Sequence, residues 1–173
     1  MTMTDSLIAE LRQEAEATRR VLERVPDEQR SWRPHPKSLS LGQLAMHIAQ
    51  TPGGVAEFLS GPTGEAPDFS TRPQAASRAE LLRALDEGVA GSVSKLASWG
   101  DQGLAAEWRM TRGGETVLAL PRGGMVQAKA ARASQSWLRM CPRASGLRIT
   151  RPDSMRPWPT WHDSRSRVNY TER

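Results

Sequence analysis

Helical periodicity runs through the first 126 residues of this chain and then stops, and that boundary limits the fold more than any other feature. Apolar residues recur at steps of three and four in three long segments, which marks amphipathic helices that must bury one face. The first runs from about Asp5 to Val25, with Leu7, Ile8, Leu11, Ala15, Thr18, Leu22 and Val25 on its stripe. Thr4 or Asp5 is placed to cap it, and Pro26 ends it. The second runs from about Leu41 to Leu59, with Ser40 and Gln43 at capping-box spacing and a kink expected at Pro52-Gly53-Gly54. The third starts at a second such box, Ser77 to Glu80, and carries Leu81, Leu82, Leu85, Val89, Val93, Leu96 and Ala97. Gly88 and Gly91 weaken it but allow close helix approach.

The connections are also legible. Pro34 and Pro36 on either side of His35 rule out a continuous helix between the first two segments. Trp32 in that connector is expected to pack over a bundle end, and Trp108 is likewise expected in the core. Residues 60–76 read as a long irregular loop. Trp108 to Leu120 reads as a hairpin turning at Gly113-Gly114, and Pro121 to Val126 as the lead into another helix. Three helices cannot close a four-helix core, so a fourth is required.

Beyond Val126 the pattern changes. Residues 1–126 hold 14 Lys and Arg against 16 Asp and Glu, a net of −2. Residues 127–173 hold 10 against 3, a net of +7, so the overall +5 belongs to the last quarter. Nine of those ten basic residues are Arg. Gln127 to Met140 is Ala-rich; after Cys141-Pro142 the chain has neither the period of a strand nor that of a helix. Such Arg, Ser and Pro content is what GC-rich DNA encodes when read in the wrong frame, so a frameshift or gene-model error near residue 127 is the first reading. A natural disordered basic tail is the other. The expected division is therefore an incomplete helical bundle over 1–126 and an Arg/Ser/Pro/Trp-rich tail over 127–173.

Composition narrows the setting. A length of 173 residues fits one domain. The single cysteine, Cys141, forbids an intrachain disulfide and suits a reducing, cytoplasmic compartment. The N-terminus shows no secretory signal pattern, and no apolar run approaches the roughly 20 residues that cross a bilayer. Trp137, Trp158, Trp161 and Tyr170 among the Arg offer stacking surfaces for nucleic acid, but a solvated or artefactual segment is the preferred reading.

Three histidines are candidates for chemistry. His47 lies on the flank of the second helix's apolar face, near Thr51 and Phe58 in angle. A neutral imidazole there is able to ligate Zn²⁺ or Ni²⁺. His35 reads as an exposed loop histidine, and His162 has no supporting motif. Cys141 reads as an inert thiol. No Gly-rich phosphate loop, paired carboxylates or Cys-x-x-Cys is present.

Trp32-Arg33-Pro34-His35-Pro36-Lys37-Ser38, followed by Ser40-Leu41-Gly42, Leu44-Ala45 and His47, resembles the DinB/YfiT-like family of metalloenzymes (the DinB family). Met110 to Glu115 and Leu120-Pro121-Arg122 fit that family's hairpin and its lead into the last helix, so the resemblance covers residues 5–126. It implies an all-α, up-down-down-up four-helix bundle with a short hairpin before the last helix. It also implies a divalent metal, zinc or nickel, on three histidines, one from the second helix and two from the fourth. By motif match His47 is the second-helix ligand. The fourth-helix pair has no counterpart, because no histidine occurs between His47 and His162. The resemblance implies a thiol transferase or hydrolase acting on small molecules with a low-molecular-weight thiol, and the metal site is incomplete here. The alternatives are a non-catalytic binding bundle and a nucleic-acid contact through the basic tail. An open apolar groove along three helices also makes a homodimer an expectation.

Overall fold

A computed structural model of the chain describes residues 1–68 and 72–127. The expectations for the tail, including Cys141, His162 and the frameshift, lie outside the described residues. Three helices dominate: α1 (Met3–Leu22), α2 (Leu41–Phe58) and α3 (Arg78–Ala105). Between α2 and α3 lies a short strand β1 (Thr63–Glu65), and after α3 come β2 (Glu107–Arg112) and β3 (Glu115–Pro121). Residues 122–127 are helical and end the described part of the chain.

Each helix begins where its side chains satisfy the unpaired N–H groups of the first turn. In α1 the cap is Thr2, two or three residues earlier than expected: Thr2 Oγ1 accepts from Asp5 N at 3.0 Å, and Asp5 returns a bond to Thr2 N at 3.1 Å. Thr4 is not a cap. It is buried and donates twice to Asp101, from its N–H at 2.9 Å and its hydroxyl at 2.7 Å. In α2 the expected box forms, with Gln43 N to Ser40 Oγ at 3.1 Å and Ser40 N to Gln43 Oε1 at 3.0 Å. In α3 half of it forms: Ser77 Oγ accepts from Glu80 N at 3.1 Å, while the Glu80 carboxylate takes the N–H of Ala76 at 2.6 Å.

The helices pack as a sheaf around α3, which runs along both α1 and α2; α1 and α2 touch each other little. Leu22, Val25, Ala45, Met46, Ala49, Leu81 and Leu85 form the core at one end, with Ala75 from the preceding loop. Leu7, Leu96 and Leu104 continue it along α1 and α3. Gly53 of α2 meets Gly88 of α3 at the crossing, where a Cβ on Gly53 would stand 2.9 Å from the Gly88 Cα. This is the close approach that the glycine in α3 suggested. Pro52 sits inside α2, and the helix continues through it. α3 is longer than its apolar stripe and breaks its helical path at Gly100, whose φ of 56° is accessible to glycine at little cost.

A three-stranded sheet, order β1-β2-β3, caps the far end. The hairpin is as expected: Gly113 and Gly114 both have positive φ, at 58° and 84°, the requirement of a two-residue type I′ turn. β1 was not expected. It pairs parallel with β2, Thr63 opposite Arg109 and Glu65 opposite Thr111. The small sheet thus qualifies the all-α reading. Trp108 is fully buried beneath the sheet, against Leu59, Phe58 and Met125, as foreseen. Phe58 meets it edge-on at 4.8 Å between ring centroids. Trp32 overturns its expectation: it is 55% exposed, because the connector is held by backbone bonds from Trp32 N to Gln29 O and from Leu41 N to Trp32 O rather than by indole packing.

Candidate metal corner at His47

Gln43, His47 and Thr51 recur at intervals of four and therefore share one face of α2. At the first position Gln43 works in both directions. Its carbonyl closes the capping box, and its Nε2 donates to the Arg72 carbonyl oxygen at 3.2 Å. The loop that carries Arg72 is pinned again two residues later, where Ser40 Oγ and Gln74 Oε1 are 2.8 Å apart. Gly42 makes room for this crossing, since a Cβ there would meet the Gln74 side chain at 3.0 Å. The segment entering α3 thus lies over the first turn of α2 and sets Arg72 beside its polar flank.

One turn further along, His47 is half-buried on the edge of the bundle. Its carbonyl accepts the Thr51 hydroxyl at 2.6 Å. Its pKa is pushed below the ordinary 6.5, first by burial, which disfavours the imidazolium, and second by the positive charge of Arg72. The ring is therefore neutral at neutral pH, the form that ligates a metal. Arg72 was missed in the sequence, where it reads as one more charge in an irregular loop.

A structural or catalytic zinc centre takes at least three protein donors. Among the described residues no group of three His, Cys, Asp or Glu side chains comes together. The charged side chain that acts on His47 is a guanidinium, which donates hydrogen bonds and has no lone pair to offer a metal. The described residues therefore do not fit a three-donor metal centre. His35 does not join His47 in such a group. It is exposed in the Pro34–Pro36 loop, where its Nδ1 accepts from Lys37 N at 3.1 Å and Arg33 Nη1 bonds the Ser38 carbonyl at 2.6 Å.

A helical bundle with a hairpin leading into a further helical segment, and a histidine on the flank of the second helix, defines the class. The family model of the DinB superfamily matches residues 10–126. The chain belongs to the DinB superfamily. It is similar in fold to a DinB-like protein from Bacillus cereus ATCC 10987 whose crystal structure is known, with a TM-score of 0.61 and 17% identity, covering 79% of this chain and 87% of that one. No curated protein matches it. No helix among the described residues is long and apolar enough to cross a membrane.

Proposed function

We propose that this chain descends from a metal-dependent thiol transferase or hydrolase acting on small molecules, and that it now carries a single residue, His47, of a three-histidine centre. The observation that carries the reading is the placement of His47: a half-buried, neutral imidazole on the flank of α2, with no further pair of donors grouped around it among the described residues. Family membership supports the ancestry. In an intact relative the zinc or nickel ion supplies an open coordination position that activates a thiol or water. Here one imidazole offers too few bonds to retain such an ion, so the chain acts as a bundle that binds a small molecule or a second copy of itself rather than as a transferase.

The test is metal retention. Purified full-length chain is loaded with Zn²⁺ or Ni²⁺, desalted and assayed for bound metal. The expected result is far less than one ion per chain, unchanged by His47→Ala. One tightly held ion per chain, lost in His47→Ala, would sink the reading and establish a working centre.

A further inference from the structure

The segment from Trp32 to Ser38 forms a loop that the metal reading leaves without a task. Its neck is closed twice where it enters α2: Leu41 N donates to the Trp32 carbonyl at 2.9 Å, and Gly42 N to the Arg30 carbonyl at 2.8 Å. Inside the loop, the His35 carbonyl accepts from Ser38 N at 2.9 Å and His35 Nδ1 from Lys37 N at 3.1 Å, while Arg33 Nη1 donates to the Ser38 carbonyl at 2.6 Å. Every residue from Ser31 to Lys37 is nevertheless exposed, so the loop projects from the molecule with its shape fixed from within. Apolar Trp32, Pro34 and Pro36 alternate along it with basic Arg33, His35 and Lys37. From Gln29 to Ala56 the Lys and Arg residues are Arg30, Arg33 and Lys37, and there is no acid. Asp27, just before the loop, is taken by Arg30 and by the Arg78 N–H. The ion pairs among the described residues use neither Arg33 nor Lys37. Of the large apolar residues exposed on the described surface, Trp32 is the one aromatic, at 55% exposure.

We infer that this loop seats the protein on an anionic phospholipid surface, the Trp32 indole entering the headgroup layer while Arg33 and Lys37 meet lipid phosphates. An indole suits that layer because it has a large apolar body and a single N–H donor. Basic side chains beside it are drawn to the negative potential of the surface. The prolines add to the fit. They remove two backbone N–H groups that entry into the layer would strip of water, and a loop already fixed in shape loses little freedom on binding. A small molecule fits less well, because its sites are concave and bury most of the ligand, whereas this tip stands proud of the surface. A nucleic-acid strand calls for successive aromatic platforms along a charged groove, and the described surface offers one indole. The inference is independent of the metal reading and stands or falls without it.

The test is co-sedimentation of the full-length chain with vesicles of equal parts phosphatidylcholine and phosphatidylglycerol, and with vesicles of phosphatidylcholine alone. The chain should bind the mixed vesicles and bind the neutral ones much more weakly. Residues 127–173 carry a net charge of +7 of their own, so the loop is read from its variants. Lys37→Glu leaves the bonds that brace the loop intact, because Lys37 gives them only its backbone N–H. It should weaken binding about tenfold or more, since each cation at such a surface is worth about fivefold. Arg12→Glu makes the same change of charge at an exposed site midway along α1 and should weaken binding far less. Trp32→Ala should weaken it by about tenfold. With fluorotryptophan incorporated, the fluorine NMR signal that disappears in Trp32→Phe should shift when mixed vesicles are added. Far-UV circular dichroism confirms that each variant keeps its helices. If Lys37→Glu and Arg12→Glu weaken binding equally, or the Trp32 signal stays in place, binding belongs to the overall charge and the role of the loop is overturned. Failure of the chain to bind mixed vesicles overturns it as well. If the loop variants weaken binding to a single-stranded oligonucleotide and leave vesicle binding unchanged, the partner is a nucleic acid and the lipid surface is overturned.

Discussion

Arg122 donates to three carbonyls from separate parts of the chain: Leu59 at 3.0 Å, Gly103 at 2.8 Å and Gly61 at 3.2 Å. Its guanidinium also lies 5.0 Å from the centre of the Trp99 ring. One side chain thus ties the end of α2, the end of α3 and the start of the last described helix together. Hydrogen bonds from a charged donor are worth about 1.5–3 kcal/mol each, and carbonyls left unpaired cost more than they gain. Arg122→Met is expected to destabilise the fold by about 2–4 kcal/mol, read as a lower urea midpoint at unchanged slope. Arg122→Lys should recover only part of that, because an ammonium cannot fork to three carbonyls in fixed directions. In the sequence Arg122 is one Arg after a Pro. Its partners lie 19 to 63 residues away, so no local pattern reveals the role.

At the scale of elements, the glycines at the α2–α3 crossing decide how closely two helices approach. A Cβ on Gly53 would stand 2.9 Å from backbone of Gly88, so Gly53→Ala must push the helices apart and is expected to cost about 1–3 kcal/mol. Gly54, its neighbour, has open space, and Gly54→Ala should raise stability by up to about 1 kcal/mol because alanine is the better helix former. Thermal melts of the two variants check this, and shifts of the same sign would contradict it. The sheet shows what a sequence hides at this scale. The hairpin was legible because its turn demands positive φ at two residues and two glycines supply it. β1 was not, because a three-residue strand has no period, and it is held by contacts 46 and 48 positions on: Glu65 accepts the Thr111 hydroxyl of β2 and the Gly113 N–H of the turn after it, both at 2.6 Å. β3 bears an extra residue at Val117, where the register passes from Leu118 to Thr116, and the bulge with Pro121 blunts the outer edge against further pairing.

At the scale of the whole molecule, the perturbed titrating groups among the described residues point one way. The Thr2 backbone and hydroxyl hold the Asp5 carboxyl below its ordinary 3.8, and those of Thr4 do the same for Asp101. The Thr111 hydroxyl, then the Gly113 N–H, hold Glu65 below its ordinary 4.5. A carboxyl with a depressed folded pKa contributes stability above its unfolded value and loses it as pH falls through the folded one. His47 is a base with a depressed pKa, so the unfolded chain takes up its proton first; its contribution is whole above about 6.5 and declines as pH drops below that. The midpoint of thermal unfolding should therefore be level near and above neutral pH, fall first just below 6.5, and fall again in the carboxylate range. His47→Gln should remove the first step and leave the second. A midpoint that rises on acidification would contradict both assignments.

What the sequence alone determined is what repeats locally. The stripes of α1, α2 and α3, the Ser40–Gln43 box and the Gly113-Gly114 turn follow from side-chain period and backbone preference, which need no knowledge of distant residues. The position of His47 on α2 follows in the same way. Only the tertiary structure decided which charges and surfaces meet. It placed Trp32 in solvent, moved Thr4 from cap to Asp101 partner, paired β1 with β2, and tied the Arg72 backbone to Gln43 at the first turn of α2. Each of these depends on segments far apart in the chain, and their energies exist only once the helices have packed.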